Sequence, residues 1–298
     1  MIRKIIKLIS VCVIIVSASV LAWQAYTDYK IDKTDKEAKL RSEQLLAQKK
    51  PTPLPTYSPV PTIAPTAAPA ATRTPVPSPA PTLTPIPSPA LSPTPAPKAI
   101  QPEFRALREE YNNDDIVGYL KIPGTSIDYP VTHSGDNTYY LENDINKNAS
   151  IAGWIFMDGE NNIEKDDPNI VIYGHNMRKD IMFHSLRYYQ SWDYFNEHRY
   201  IIFNTIYENY VWEVFSFYRA EIDFPYIQVV FQSDGAFNKL AAEMKKRSMY
   251  DTGVEIKPGD HILTLSTCTN EAENTRFALN ARRLSPDEIP EGLLGDIT

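Results

Sequence analysis

The chain changes its hydrophobic pattern three times. From Leu8 to Trp23 no charge appears, and Arg3, Lys4 and Lys7 precede the run. With Ile5, Ile6, Gln24 and Ala25 the stretch reaches the roughly 20 residues needed to cross a bilayer core. Basic residues before the apolar run predict a cytoplasmic N-terminus, with everything after Trp23 outside. Residues 27–50 are charged with few apolar positions and predict a solvated helix leaving the membrane. Residues 51–102 have no periodicity and hold 18 of the 25 prolines, with Arg73 and Lys98 the only charges. Such a segment cannot pack a core; it predicts an extended polyproline II spacer of about 3.1 Å per residue.

From Glu103 onward short alternating runs separated by turn residues take over. Strands are predicted at Ile116–Ile122, Ser126–Val131, Ala149–Asp158, Asn169–His175, Tyr200–Thr205, Asn209–Ala220, His261–Thr267 and Phe277–Arg283. Helices are predicted at Glu103–Tyr111, Ile181–Tyr189, Trp192–His198 and Gly235–Arg247, the last with Phe237, Leu240, Ala241 and Met244 at helical spacing. Gly135–Leu141 reads as a loop with a helical turn. Many strands with few long helices predict a mainly β fold, a closed barrel with helical decoration. The chain thus divides into an N-terminal anchor (1–26), a charged juxtamembrane segment (27–50), a proline-rich linker (51–102) and one folded domain (103–298).

Composition narrows the setting. The net charge of −7 offers no basic patch, which argues against nucleic acid. The folded domain holds one cysteine and so forms no internal disulfide, a pattern suited to a Gram-positive surface protein. Cys12 lies inside the apolar run after Val11 and reads as a membrane-facing hydrophobe. Ser17, Ala18, Ser19 and Ala22 make a cleaved signal peptide the competing reading, but a stalk has no purpose on a freely secreted domain. Acidic residues are scattered, so no metal and no cofactor are expected.

Three polar groups stand at strand edges. Cys268 ends the run HILTLSTC, His175 ends IVIYGH, and Arg276 opens TRFALNARRL eight residues after the cysteine. A thiol, an imidazole and a guanidinium are the parts of a cysteine-nucleophile acyl-transfer site. Each has a bland counterpart: a lone cysteine is most often a small buried hydrophobe. His133, His184, His198 and His261 compete with His175 and read as surface or structural. Strand alternation puts Arg276 and Arg282 on one face, which leaves Arg282 as the rival guanidinium.

TLSTC (Thr264–Cys268), YGHNM (Tyr173–Met177) and the arginine in TCTNEAENTRF resemble the sortase family, class B in particular. VGYLKIPGTSIDYPV (Val117–Val131), DNTYYL (Asp136–Leu141) and the helix around SDGAFNKL (Ser233–Leu240) support the resemblance, which spans about 103–285. It implies an eight-stranded barrel and a membrane-anchored cysteine transpeptidase. Such an enzyme cuts the C-terminal sorting signal of a secreted protein after a Thr. It then joins the Thr carboxyl to an amine of the cell wall or of a pilin. The resemblance places the nucleophile on Cys268, the imidazole on His175 and the guanidinium on Arg276. By looser matches it places peptide contacts on Asn137, Leu141, Ser266 and the segment Phe224–Ile227, with Tyr226 and Ile227 foremost. Two other functions compete: a stalk-displayed binding module without catalysis, and a cysteine peptidase that only hydrolyses.

Overall fold

The computed structural model describes residues 2–47, 98–221, 223–268 and 275–293, and it leaves the side chains of residues 2–8, 11 and 268 undescribed. The proline-rich spacer therefore lies almost wholly outside the described residues.

The chain opens with one continuous helix, α1 (Ile2–Ala47). Among the described residues no helix is long and apolar enough to cross a membrane. The solvated helix expected over 27–50 is solvated on one side only: Asp35, Ala38 and Ser42, at helical spacing, are buried. They pack where Tyr111 donates to the Ala38 carbonyl at 3.0 Å and Tyr129 donates to Asp35 at 2.6 Å. α2 (Pro102–Tyr111) starts on a proline, where a missing N–H costs nothing. It stops at Asn112 in the left-handed conformation, φ 45°, whose N–H caps the last turn.

Eight strands follow: β1 (Ile116–Lys121), β2 (Asp128–Thr132), β3 (Phe156–Met157), β4 (Asn169–Tyr173), β5 (Tyr200–Thr205), β6 (Asn209–Glu221), β7 (Ile262–Cys268) and β8 (Thr275–Arg283). They close into a barrel in the order β1-β2-β3-β4-β7-β8-β6-β5. Closure leaves no open edge to template pairing with another chain. Most neighbours are antiparallel; β2–β3 and β4–β7 run parallel. Alternation sorts the side chains. Leu263 and Leu265 of β7, with Phe277, Leu279 and Ala281 of β8, enter the main core. Ile262 and Ala278 instead join a second cluster with Phe237, Leu240, Ala241 and Met244 of α3 (Asp234–Arg247), which covers that outer face. Ser233 starts α3 by accepting from the Ala236 N–H, a cap worth about 1 kcal/mol.

Two expected elements come out differently. The strand expected over Ala149–Asp158 shrinks to β3, because Gly153 takes φ 55° and sits against the Tyr140 carbonyl, where a Cβ would lie 2.4 Å away. Ala152, Trp154 and Ile155 are buried all the same. Their apolar pattern reflects a loop sunk into the core: the Trp154 indole donates to the Pro130 carbonyl, and the Thr132 N–H donates to that of Ile155. The helix expected over Ile181–Tyr189 is a 3₁₀ helix, His184–Gln190. Lys179, Asp180 and Met182 before it have φ of 65°, 55° and 54°, which no right-handed helix permits.

Candidate active site

The barrel brings the three predicted groups to one end of adjacent strands. β7 and β8 pair without interruption from Ile262↔Arg282 to Cys268↔Arg276, so the cysteine and Arg276 are directly opposite. β4 runs parallel to β7 with Tyr173 beside Ser266, and the Gly174 N–H donates to the Ser266 carbonyl at 3.3 Å. His175 therefore leaves β4 level with the last residues of β7. The thiol of Cys268 itself lies outside the described residues.

A hollow of about 200 Å³ lies at this point, lined by Asn137, Leu141, Tyr173, His175, Ser266 and Arg276 among others. His175 Nε2 is 3.0 Å from the Leu141 carbonyl. A carbonyl only accepts, so Nε2 carries a proton in this state. Arg276 Nη1 donates to the neighbouring Thr275 carbonyl at 3.0 Å; among the described residues the rest of its planar fork is left for other acceptors. Arg282 is placed otherwise. It sits at the far end of β8, buried, with both terminal nitrogens donating to Glu288 at 2.9 and 3.1 Å. The rival guanidinium is a tie for the C-terminal segment.

The other candidates divide. Ser266 is buried and shares a 2.8 Å hydrogen bond with the Tyr226 hydroxyl, which puts the segment after β6 against the strand that ends in Cys268. Ile227 follows Tyr226 and is exposed, and it does not line the hollow. Asn137 donates to Asp158 at 3.0 Å and accepts from the Gly159 N–H at 2.7 Å. Three of the four histidine rivals are occupied elsewhere, while the fourth, His133, has a buried Nε2 without a hydrogen-bond partner among the described residues. His198 meets the Pro123 carbonyl, His184 meets Asn176, and His261 pairs with Asp166 at 3.3 Å. Burial works against the Asp166 charge. The His261 and Arg283 hydrogen bonds overcome it and hold the carboxyl below its ordinary range.

Two supporting features escape a reading of motifs. Asp158, buried, also accepts from Tyr173 at 2.7 Å. Burial first, and then this carboxylate, push the Tyr173 phenol far above its usual value, so it remains a donor at the wall of the hollow. The second is a buried polar chain across four strands. Ser216 donates to Asn280, Asn280 to Thr264, and Thr264 to Asn169. Asn169 then donates to the Tyr226 and Gln228 carbonyls at 3.2 and 2.9 Å. The signal was there: polar residues interrupt apolar strands at Asn169, Thr264 and Asn280. Spacing alone did not say that they meet. Among the described residues no group of His, Cys, Asp or Glu is arranged to hold a metal.

The architecture agrees with that of known proteins. The family model described as the sortase domain matches residues 120–284. A Listeria monocytogenes protein named Sortase B is 37% identical over 174 residues, covering 58% of this chain and 70% of that one. Among solved structures, a Bacillus anthracis protein described as similar to sortase B superposes with a TM-score of 0.58 at 34% identity. It covers 62% of this chain and 84% of its own. A Staphylococcus aureus sortase B–substrate complex gives 0.59 at 32%, covering 63% and 87%. The chain belongs to the sortase family and, within it, to the class B sortases, which are cysteine transpeptidases acting on sorting-signal substrates.

Proposed function

We propose that this chain cleaves a C-terminal sorting signal after a Thr and transfers the acyl group to an amine, with Cys268 as nucleophile, His175 as acid and base, and Arg276 as oxyanion or backbone clamp. The observation that carries the reading is the register: Cys268 faces Arg276 across β7–β8, and His175 leaves the neighbouring parallel strand beside the same hollow.

The chemistry follows from the parts. An amide carbonyl is a poor electrophile, so a thiolate is required. The Cys268 sulfur attacks the Thr carbonyl carbon, and negative charge gathers on its oxygen, where a guanidinium fork stabilises it without losing its own charge. The C–N bond breaks, and the departing amine takes a proton from His175. A thioester remains. An incoming amine attacks it, gives a proton to His175, and the C–S bond breaks to return the thiolate. Ser266, Asn137, Leu141, Tyr226 and Ile227 are the proposed peptide contacts. The acceptor is an amine of the cell wall or of a pilin.

Residues 1–26 are proposed as a single-pass anchor, N-terminus inside and catalytic domain outside a Gram-positive cell, with the proline-rich segment as spacer. Protease added to protoplasts should release a fragment beginning near residue 103; a mature N-terminus near residue 23 overturns the anchor. For the chemistry, a pentapeptide library is incubated with the protein with and without added amines, and products are read by mass spectrometry. Amine-dependent ligation products that vanish in Cys268→Ala are expected. Turnover retained by a folded Cys268→Ala variant overturns the nucleophile, and hydrolysis alone at every amine concentration overturns transfer.

A further inference from the structure

The loop that carries His175 is the least regular part of the site. It runs from Gly174 to Phe183, closes on itself where the Phe183 N–H donates to the His175 carbonyl at 3.0 Å, and holds the three left-handed residues Lys179, Asp180 and Met182. Each such residue is strained and persists only where its surroundings hold it.

What holds this loop includes α1. The Tyr129 hydroxyl is a two-way bridge: it donates to Asp35 of α1 at 2.6 Å and accepts from the Met182 N–H at 2.9 Å. Tyr129 is fully buried and Asp35 nearly so. Lys39, one turn on, pairs with Asp35 at 3.2 Å and lies 4.4 Å over the Tyr129 ring. A second tie joins Asp28 of α1 to Lys179 of the loop at 3.6 Å. Burial, followed by the Asp35 charge, keeps the Tyr129 phenol protonated, so it always has a proton to donate to Asp35. Further along, Arg41 meets Glu110, and Ser42 lies 3.3 Å from Tyr111, fixing the helix to α2. The contact also shapes access. A cleft of about 780 Å³ between α1, at Trp23, Tyr26 and Ile31, and the barrel, at Leu141 and Ile151, reaches His175. It meets the smaller hollow at Leu141 and His175.

We infer that the segment of α1 from Asp28 to Ser42 is a docked positioning element of the active site, with Asp35 acting through Tyr129 and the Met182 N–H on the loop that presents His175. The segment reads in sequence as a tether, but its buried stripe, Asp35, Ala38 and Ser42, makes it part of the enzyme. A barrel cut away from it loses the outside support of the His175 loop. The inference rests on the role proposed for His175, and its test has a readout that does not.

The full-length protein in detergent is compared with Tyr129→Phe, Asp35→Leu, Asp35→Asn, Ala38→Glu and Lys36→Ala. Lys36 is a solvent-facing control, paired among the described residues only with the partly exposed Asp32 on its own helix. Hydrogen exchange at the Met182 amide is measured beside kcat and KM for the donor peptide, with melting curves to confirm folding. Tyr129→Phe, Asp35→Leu and Ala38→Glu should speed Met182 exchange and lower kcat by about tenfold, with KM nearly unchanged, because a displaced imidazole costs rate rather than donor binding. Asp35→Asn keeps an oxygen to accept from Tyr129 and should recover most of both. Lys36→Ala should match the unaltered protein. Unchanged exchange in the first three variants shows that α1 does not hold the loop. Faster exchange with unchanged kcat shows that holding it is irrelevant. Either overturns the inference. Were the unaltered protein to show no turnover, the assignment of Cys268 and His175 would fail, while Met182 exchange would still decide the docking.

Discussion

The two sides of the candidate active site are built on different principles. On one side, seven consecutive residue pairs lock β7 to β8, so the places of Cys268 and Arg276 follow from a ladder of backbone hydrogen bonds. On the other, His175 rides on a loop with three left-handed, non-glycine residues, whose fastenings include the Tyr129 hydroxyl and the Lys179–Asp28 ion pair. Strands locate a group cheaply and rigidly. A loop leaves a group movable, and its position then depends on distant residues.

The comparison is broken most severely at the reacting groups. His175→Ala should lower kcat/KM by about 10²–10⁴-fold, the usual worth of general acid–base help. Arg276→Lys keeps the charge but loses the planar fork and should cost on the order of 10²-fold. Arg282→Ala should be mild in the same peptide assay, because its guanidinium is committed to Glu288. A crippled Arg282→Ala beside a healthy Arg276→Lys would reverse the two roles.

A smaller perturbation tests the loop side alone. At Gly174 a Cβ would come within 2.8 Å of the Phe183 ring and 2.5 Å of the Ile155 methyl. Gly174→Ala should destabilise by about 1–3 kcal/mol through overpacking and depress kcat by displacing Phe183, the far end of the His175 loop. A melting temperature and kcat both equal to the unaltered protein's would mean that the loop tolerates repacking.

The strand side is sharpened by Asn169→Ala. It leaves the Tyr226 and Gln228 carbonyls and the Thr264 hydroxyl short of a partner. A loss of about 2–3 kcal/mol is expected in chemical denaturation, the penalty for unpaired buried polar groups. KM for the donor peptide should rise, because the segment carrying Tyr226 loosens while His175 stays in place.

The mildest effect lies at Glu288. The Arg282 hydrogen bond, aided by the Ser285 N–H, holds its carboxyl at about 2, below the ordinary 4.5. A depressed carboxyl contributes stability above its unfolded value and loses it as pH falls through the folded one. Glu288→Gln should therefore melt slightly below the unaltered protein at neutral pH, by no more than about 1 kcal/mol for a partly exposed pair. The gap should close between pH 4.5 and 2. A gap that persists at pH 2 would show that the loss is steric.

Sequence legibility follows the same division. The β7 and β8 runs alternate regularly, so their ends, and with them Cys268 and Arg276, could be placed from pattern alone. His175 was found because a motif surrounds it, but the course of the chain after it was not, since left-handed residues leave no hydrophobic period. The loop over Ala149–Ile155 misled for a related reason: apolar residues buried in a loop look like a strand until Gly153 bends. The docking of α1 left the faintest trace. Asp35, Ala38 and Ser42 form a stripe of small and polar residues, and nothing in such a stripe announces burial against two tyrosines.

The parallel pairing of β4 with β7 has a kinetic meaning. Tyr173 and Ser266 stand about ninety positions apart along the chain, yet they are neighbours in the sheet. Contacts so distant in sequence form late, after the entropy of a long loop has been spent. The hairpin of β7 and β8 needs no such wait, so during folding the cysteine meets its arginine well before it meets its histidine. Under the roles proposed for Cys268 and His175, the nascent protein then carries a thiol without its proton partner until the barrel shuts. In a refolding experiment turnover should return with the slowest closing phase, and no earlier intermediate should cut a peptide.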